Sequence, residues 1–583
     1  MDVARRSLLF IVVASAACSD DPSAGTTGDS AAPDSAAPDS AADSAADSVA
    51  PDSVAPDGVG VDGDVGSACG GDVAPGPGLV VTDRGAVRGT IVDGVAAFLG
   101  VPYAAPPVGP LRWRPPEEVA CWDGVRAATD WASACIQKDF ELGQADAAVV
   151  GSEDCLYLNV WAPTAAAPAS RGRPVMVFIH GGGNVSGAAA TTTFNLKLYD
   201  GHDLAAKEDV VVVTLDYRLG PFGFLALPAL SAESERHVSG NQGLLDQIAA
   251  LAWVQRNIAA FGGDPDRVLL FGESAGAVDT LALLVSPLAA HLFGRALMQS
   301  GGVQAKPLAA REAEGTAYLD AVGCGDAADA LACLDGLALD ALVAPVTNPF
   351  SGGIAGGGGF GPSIDGWVLP EAPLDAIAAG HHNHVPFLIG ANADETMITV
   401  PEGSVTPAKV TAALSAFGEP YASQLLALYP PGTTPAEARA SWVRATTDGQ
   451  FVCGARRIAR AVRAAQSEPV WRYFFSHTAA PNAGGKNGSF HGLELFYVFG
   501  AVERLFGGAV ARPSDEALSA AMMGYWARFA AGGDPNGAGA VAWPAYVGAS
   551  DDTLELADPP VARAGVRTDA CDVWDALSAS LQP

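Results

Sequence analysis

Residues 267–277 constrain the fold more than any other part of the chain, because they pass from a buried strand through a tight turn into a helix. The apolar run after Arg267 predicts the strand, and the apolar residues that continue to Val285 predict the helix. Between them stands Gly-Glu-Ser-Ala-Gly, a nucleophile elbow, in which glycines let strand and helix approach and the serine is held in a strained conformation. We therefore predict that Ser274 is a nucleophile and that the amide of Ala275, at the helix N-terminus, points to where an oxyanion forms.

The composition fits a large globular protein and argues against a nucleic-acid-binding one. Of the 583 residues, 49% are hydrophobic, which is enough for a large core. The formal net charge is −32, so the chain offers little that would neutralise a phosphate backbone. We expect the excess acidity to serve solubility.

Residues 1–18 have the pattern of an export signal. Arg5 and Arg6 precede an apolar run that is too short to span a bilayer, and small residues then lead to Cys18. A cysteine at this place resembles that of a bacterial lipoprotein signal, in which it becomes the lipidated first residue, and Ser19 after it favours the outer membrane. We expect an exported protein, anchored in the outer membrane through Cys18 or, with ordinary cleavage, secreted.

Residues 19–77 are expected to form a disordered linker. Ala-Ala-Pro-Asp-Ser and close variants repeat there with almost no large apolar residue, so the segment cannot bury enough surface to offset its ordering entropy. The regular aspartates repel one another and the prolines stiffen the chain, which gives an extended tether.

Residues 78–583 predict one α/β domain. Residues 78–89 predict a hairpin, and the runs 173–180 and 209–216 are apolar and rich in β-branched residues, as in strands buried on both faces. They alternate with helical segments such as 244–261, and no second low-complexity linker follows. The expected fold is a large, mostly parallel central sheet with helices on both faces.

Three glycines follow the first of these strands, in the sequence His180-Gly-Gly-Gly183. Glycines directly after a buried strand allow backbone amides to turn inward, as an oxyanion hole requires. A phosphate-binding loop is the alternative, but no Gly-Lys-Ser or Gly-Lys-Thr follows and no helix of that type begins here. We therefore predict an oxyanion hole, upstream of the elbow in the sequence.

A serine nucleophile needs a histidine as base and a carboxylate that orients it. In sheets that carry such an elbow the chain order is serine, acid, histidine, which removes most candidates. Asp394 and Glu395 compete as the acid, since both follow a predicted strand at 385–389, where active-site residues collect. His477 and His491 compete as the base, and spacing only slightly favours His491.

A histidine cluster at residues 381–384 raises the alternative of a metal site. No cysteine or carboxylate stands beside it at ligand spacing, so a solvated loop is the better interpretation. The cysteines are dispersed and lack any Cys-x-x-Cys pair, so they do not predict a metal site.

Many short segments match one protein family in sequence and in order. They include Phe98-Leu-Gly-Val-Pro-Tyr-Ala104, Ser152-Glu-Asp-Cys-Leu-Tyr-Leu-Asn-Val160, His180-Gly-Gly-Gly183, Asp216-Tyr-Arg-Leu-Gly220, Gly272-Glu-Ser-Ala-Gly276, Gln299-Ser-Gly301, Asp394-Glu395 and His491-Gly-Leu-Glu494. On these segments the chain resembles the type-B carboxylesterases, which include cholinesterases and bacterial para-nitrobenzyl esterases. The resemblance implies an α/β-hydrolase fold and a serine hydrolase that cleaves small carboxylic esters through an acyl-enzyme, without a metal or organic cofactor.

The resemblance also implies a role for single residues. They are the nucleophile Ser274, the general base His491, the orienting acid Glu395, the oxyanion amides of Gly182, Gly183 and Ala275, and the neighbouring residues Glu273 and Ser300. Two alternatives remain: a non-catalytic adhesion protein, against which the intact triad argues, and an acyltransferase that uses the same acyl-enzyme.

Two residues depart from the family's pattern. Asn184 follows the three glycines, where the family usually has an aromatic residue, and Asp216 stands where asparagine is usual. We expect Asn184 to change the wall of the substrate gorge and hence the substrate preference. Cholinesterase activity is not expected, because those enzymes hold a cation on a tryptophan inside the first disulfide loop, where this chain has only Phe140.

Without Cys18 the chain has eight cysteines, an even number in a sequence with an export signal. Spacing like that of the family implies the pairs Cys135–Cys155, Cys324–Cys333 and Cys453–Cys571. Cys69 and Cys121 are then left to pair with each other at the start of the domain.

Overall fold

Most of the chain is described by a computed structural model, which covers residues 69, 73–140, 147–167, 171–193, 196–348, 359–479, 488–504 and 511–580. The expected signal and most of the expected linker lie outside these residues. Within them, no helix combines the length and the apolar character needed to cross a membrane.

The strands of the described residues are short at the start of the chain and longer in the central sheet. In chain order they are β1 (Leu79–Val81), β2 (Ala86–Arg88), β3 (Thr90–Val92), β4 (Val95–Pro102), β5 (Val125–Ala127), β6 (Gln137–Lys138), β7 (Val149–Val150), β8 (Tyr157–Pro163), β9 (Arg173–Ile179), β10 (Thr192–Thr193), β11 (Leu196–Lys197), β12 (Val211–Leu215), β13 (Gly263–Glu273), β14 (Arg295–Gln299), β15 (Lys306–Pro307), β16 (Ser363–Ile364), β17 (Phe387–Asn392), β18 (Val470–Phe475), β19 (Thr553–Leu556) and β20 (Val561–Arg563).

The helices mostly connect or follow these strands. They are α1 (His202–Glu208), α2 (Gly220–Phe224), α3 (Pro228–Glu233), α4 (Gln242–Asn257), α5 (Ala275–Val285), α6 (Leu308–Ala321), α7 (Ala330–Asp335), α8 (Leu339–Val343), α9 (Pro373–Ala379), α10 (Pro407–Ser415), α11 (Tyr421–Leu428), α12 (Pro435–Thr447), α13 (Cys453–Ala465), α14 (Leu493–Val498), α15 (Pro513–Gly532) and α16 (Thr568–Ser580). Short 3-10 turns occur at Gly109–Leu111, Ile258–Phe261, Pro287–Ala289, Met397–Thr399 and Val502–Arg504, and a π-helix at Asp448–Val452.

One 11-stranded sheet organises the domain, with the strand order β20-β19-β18-β17-β14-β13-β9-β12-β8-β4-β3. Neighbours from β19 to β12 pair in parallel. The strands outside that block pair antiparallel at both ends. This is the large, mostly parallel sheet that the apolar runs predict.

The alternation of side chains along β9 explains why the sheet is covered on both faces. Val175, Val177 and Ile179 belong to one apolar core, which includes residues of α4, α5 and α13. Met176 and Phe178 point to the opposite face and belong to a second core, with residues of α1, α14 and α15. Because neighbouring positions of a strand face opposite sides, an unbroken apolar run can bury both faces at once.

Candidate active site

The elbow follows β13 and opens α5, as the sequence predicts. Ser274 has φ 56° and ψ −120°, a strained conformation for a residue other than glycine. A side chain on Gly276 would collide with the carbonyl oxygen of Ile179 in β9, so only glycine lets the helix approach the sheet this closely. Glu273 and Ala275 are buried while Ser274 is partly exposed, which leaves the serine accessible at the end of the strand.

The three-glycine loop follows β9 and packs against the elbow. Gly182 and Gly183 have φ values of 113° and 66°, and a Cβ on Gly181 would lie 2.9 Å from the Cβ of Ser274. Within the described part of the chain, the amides of Gly182, Gly183 and Ala275 donate to no acceptor. Three unused amides beside a serine are what a developing oxyanion requires.

Of the two candidate acids, only Glu395 reaches a histidine. It follows β17, is 1% exposed, and accepts a hydrogen bond of 2.7 Å at Oε1 from the amide of Asn392. Asp394 instead accepts a hydrogen bond of 3.0 Å from the amide of Ser489. The two neighbouring carboxylates therefore have different partners: Glu395 contacts the histidine, and Asp394 binds the backbone of the loop that carries it.

His491 lies between two carboxylates. Its Nδ1 is 2.6 Å from Oε2 of Glu395, and its Nε2 is 3.1 Å from Oε1 of Glu273, the residue before Ser274. Its backbone amide also donates to the carbonyl of Glu395 at 3.2 Å. The contact with Glu395 fixes a proton on Nδ1, so that Nε2, on the side of the elbow, is the nitrogen that can accept one.

The charges around His491 favour its protonated form. Burial lowers the pKa of His491, but the carboxylates of Glu273 and Glu395 outweigh burial and raise it. Burial is the main reason why the pKa of Glu273 is raised to about 8 and that of Glu494 to about 7, and the nearby Glu395 adds to both increases. Of the two carboxylates that contact His491, Glu395 makes the shorter contact, 2.6 Å against 3.1 Å for Glu273, and is the partner that holds the imidazole in place.

A buried polar chain behind the acid was not identified from the sequence. The side-chain amide of Asn392 donates to Glu494, and Glu494 accepts a further hydrogen bond of 3.1 Å from Gln299. Trp526 in turn donates to Gln299 at 3.1 Å. Glu494 stands three residues after His491 and Asn392 three residues before Glu395, so both spacings were visible, but the role of such residues depends on contacts between distant segments.

The π-helix between α12 and α13 brings Phe451 to the site. Its ring centroid lies 5.1 Å from that of His491. A π-helix adds a residue to the helical turn and is frequently found at functional sites. The apolar and glycine patterns of the sequence do not indicate this π-helix.

Ser300 and Glu273, the residues expected beside the triad, lie in different places. Glu273 contacts His491 as described, whereas Ser300 is fully buried after β14, where its amide donates to Gly390 at 2.9 Å. Asp216 is also buried, and its side chain accepts a hydrogen bond of 2.8 Å from the amide of Ala189.

Asn184, the departure expected to change the wall of the substrate gorge, makes its side-chain contacts inside the protein, and its effect on substrate preference stays a prediction. Its side chain is buried in the protein interior, where Nδ2 donates to Asp279 at 3.0 Å and Oδ1 accepts from Tyr217 at 3.0 Å. An amide can satisfy these buried partners, which an aromatic ring cannot, and this draws the side chain inward.

The cluster at 381–384 makes contacts of its own. His381 lies 2.7 Å from Glu371, and His382 lies 3.1 Å from the side-chain oxygen of Gln466. Among the described residues, no group of three or more histidine, cysteine, aspartate or glutamate side chains is arranged to hold a metal ion.

Four disulfides occur among the described residues, in the pairs expected from the sequence. They are Cys69–Cys121, Cys135–Cys155, Cys324–Cys333 and Cys453–Cys571. A set of disulfides of this kind is typical of an exported protein.

The chain matches the family model described as the carboxylesterase family over residues 77–574. It is 40% identical over 497 residues to the para-nitrobenzyl esterase of Bacillus subtilis (strain 168), covering 82% of this chain and 94% of the relative. It is also 40% identical over 483 residues to the fumonisin B1 esterase of Sphingopyxis macrogoltabida, covering 80% and 84%. The liver carboxylesterase of Sus scrofa is 36% identical over 523 residues, covering 81% and 88%.

Solved structures agree with this assignment. A PNB esterase superposes with a TM-score of 0.71 at 35% identity, over 85% of this chain and 99% of that chain. A thermophilic PNB esterase gives 0.72 at 35% identity with the same coverage. The chain therefore belongs to the carboxylesterase family, and it is a serine hydrolase of carboxylic esters with an α/β-hydrolase fold.

Proposed function

We propose that Ser274, His491 and Glu395 form the catalytic triad and that the amides of Gly182, Gly183 and Ala275 form the oxyanion hole. One observation carries the proposal: His491 is held by Glu395 at 2.6 Å through Nδ1, while its other nitrogen faces the elbow. The three unused amides beside Ser274 supply the second requirement of acyl transfer.

The reaction follows from these positions. Nε2 of His491 takes the proton of Ser274 as Oγ bonds to the ester carbonyl carbon, and the three amides bind the negative carbonyl oxygen. Collapse of this intermediate breaks the ester C–O bond, and His491 gives its proton to the leaving alcohol. Water, activated by the same imidazole, then releases the acid and restores the serine. Each oxyanion donor is expected to lower the barrier by about 3 kcal/mol.

Replacement of the serine tests this assignment. Ser274→Ala should give a folded protein without measurable turnover of a nitrophenyl ester, and a fluorophosphonate should label the wild type on Ser274 only. The matched control is Ser286→Ala at the other end of α5, which should retain turnover and labelling. Equal turnover by wild type and Ser274→Ala would assign the nucleophile elsewhere.

We further propose neutral aryl and alkyl esters as substrates. The support is an apolar ring, Phe451, beside the base, together with two 40% identical relatives named as esterases for para-nitrobenzyl and fumonisin B1 esters. A chain-length series of nitrophenyl esters, with a choline ester as the cationic comparison, tests this. A kcat/KM for the choline ester equal to that of the neutral esters would contradict it.

The N-terminal residues lead to a proposal about location. We propose that residues 1–18 are a lipoprotein signal, that Cys18 is lipidated, and that residues 19–77 tether the domain of residues 78–583 to the outer membrane. The disulfides support export. Labelled palmitate should enter the wild type in a bacterial host and not Cys18→Ser, and unlabelled wild type would refute the anchor.

A further inference from the structure

Asn184 ties the oxyanion loop to the helix of the elbow. It directly follows Gly183, has φ 57°, and its side chain is 3% exposed. Its Nδ2 donates to Oδ1 of Asp279 at 3.0 Å, and its Oδ1 accepts a hydrogen bond of 3.0 Å from the hydroxyl of Tyr217. The side chain therefore satisfies a partner on each side, and the amide has only one orientation that fits both.

Asp279, the acceptor of the hydrogen bond from Asn184, is itself held in place by its surroundings. It lies on α5, five residues after Ser274, and is fully buried. Its second oxygen accepts a hydrogen bond of 2.7 Å from Nε2 of Gln247 on α4. Burial raises the pKa of Asp279 to about 7, against the opposing effect of its two amide donors. A buried carboxyl that lost these donors would be costly, so both hydrogen bonds are held firmly.

The proposed oxyanion hole combines amides from two separate segments. Gly182 and Gly183 lie on the loop after β9, and Ala275 lies at the start of α5. Such donors must be held to within about 0.5 Å to act on one oxygen. The contact between Asn184 and Asp279 spans the same two segments, one residue beyond the loop glycines and one helical turn beyond Ala275.

We infer that Asn184 and Asp279 are positioning residues, whose hydrogen bond holds the loop amides against the amide of Ala275 so that all three converge on one oxyanion. This inference rests on the proposed function of those amides. The role also gives a reason why this chain lacks the aromatic residue that is usual after the glycines: the residue at this position forms a hydrogen bond that joins the loop to α5.

Exchanging the two side chains is the sharpest test. Asn184→Asp alone places two carboxyl groups against each other and removes the hydrogen bond from residue 184 to Asp279. In the double variant Asn184→Asp/Asp279→Asn, the new amide at 279 donates to the carboxylate at 184 and accepts from Gln247, while Tyr217 donates as before. All three hydrogen bonds are thereby restored with their partners exchanged.

Kinetics at pH 8 with a nitrophenyl ester should separate the two variants. Asn184→Asp should lower kcat by about 10²-fold, with KM within about threefold of wild type because the ground state does not use the oxyanion hole. Its affinity for an aryl trifluoromethyl ketone, whose serine adduct carries an oxyanion, should fall in parallel. The exchanged double variant should recover both values to within about fivefold of wild type.

Two outcomes would overturn the inference: a wild-type kcat in Asn184→Asp, or a double variant no more active than the single one although circular dichroism shows it folded. Asn184→Leu serves if Asn184→Asp fails to fold, because it removes both hydrogen bonds without adding charge and should also lower kcat at constant KM. The proposed function fails separately, if Ser274→Ala retains the turnover of the wild type.

Discussion

Among the described residues, two buried carboxylates each contact a histidine at 2.6 Å, and only one of these pairs has the placement that we propose for catalysis. His491 lies 2.6 Å from Glu395, and His477 lies 2.6 Å from Asp515. His491 meets its carboxylate through Nδ1 and turns Nε2 toward the elbow. His477 meets Asp515 through Nε2, the nitrogen that also faces Arg512 at 3.2 Å.

The carboxylates differ as well. Burial raises the pKa of Asp515, but hydrogen bonds from Arg512, His477 and Tyr497 outweigh burial and hold it well below its usual range. Several donors bind this aspartate, which also accepts a hydrogen bond from the backbone amide of Arg512 in the N-terminal capping box of α15. A short histidine–carboxylate contact therefore supports the proposal of a base only where the second ring nitrogen is turned toward the proposed nucleophile's segment, as Nε2 of His491 is turned toward Glu273 in the elbow.

The largest effect is expected from removing one histidine of each pair. His491→Gln should lower kcat for a nitrophenyl ester by about 10⁴-fold or more, because it removes the group that we propose takes the proton of Ser274. His477→Gln should leave kcat within about threefold, since that ring contacts no reacting atom. Steady-state kinetics of both purified variants measure this, and similar losses of kcat in the two would contradict the different roles of the two histidines.

The neighbouring acids give the next largest contrast. Glu395→Gln should lower kcat by about 10³- to 10⁴-fold, since an amide neither orients nor stabilises the imidazolium as a carboxylate does. Asp394→Asn should cost about 1 kcal/mol of unfolding free energy through its weakened bond to Ser489, with little change in kcat. If Asp394→Asn proved the more damaging to kcat, the assignment of the acid would be reversed.

The second pair should matter for stability alone. Asp515→Asn should lower the free energy of unfolding by about 3 kcal/mol at pH 7, because His477 and Arg512 lose a buried charged partner. Since the pKa of Asp515 is lower in the folded protein, its contribution is present above about pH 4, the unfolded value, and is lost as the pH falls further. Urea unfolding of wild type and variant at several pH values should show the two curves converging in acid.

The smallest effect concerns pH. Because Glu273 raises the pKa of His491, Glu273→Gln should lower it, and the acid limb of the kcat/KM profile should move to lower pH by about one unit. At a pH below the midpoint of the wild-type profile, the variant should therefore keep a larger fraction of its maximal kcat/KM than the wild type does. An unchanged midpoint would mean that Glu395 alone sets the basicity of the imidazole.

Local sequence was sufficient for the parts of the site that one segment builds. The elbow and the three-glycine loop each need only a strand, glycines and a following turn, and the fold of the central sheet followed from apolar runs. The choice between Asp394 and Glu395, by contrast, came from the family resemblance, because it depends on a loop about a hundred residues later in the chain.

Contacts between distant segments explain what sequence reasoning missed. Gln299, Asn392 and Glu494 come from three separate regions and become one polar chain only in the folded state. Asn184 is expected to change the gorge wall because the family usually has an aromatic residue at its position, but this expectation does not indicate where the asparagine side chain binds. Its actual partner, Asp279, could not be read from the position of either residue alone.

The disulfide between Cys69 and Cys121 has a mechanical consequence. It closes a covalent loop with a sequence separation of 52, which contains strands β1 to β4. Tension applied to the chain before Cys69 therefore enters the domain at Cys121 and bypasses the edge strands, so that they cannot be peeled off one by one. After reduction of this bond, the tension would act first on β1, a strand of three residues. The strands at the start of the domain could then separate from it one after another.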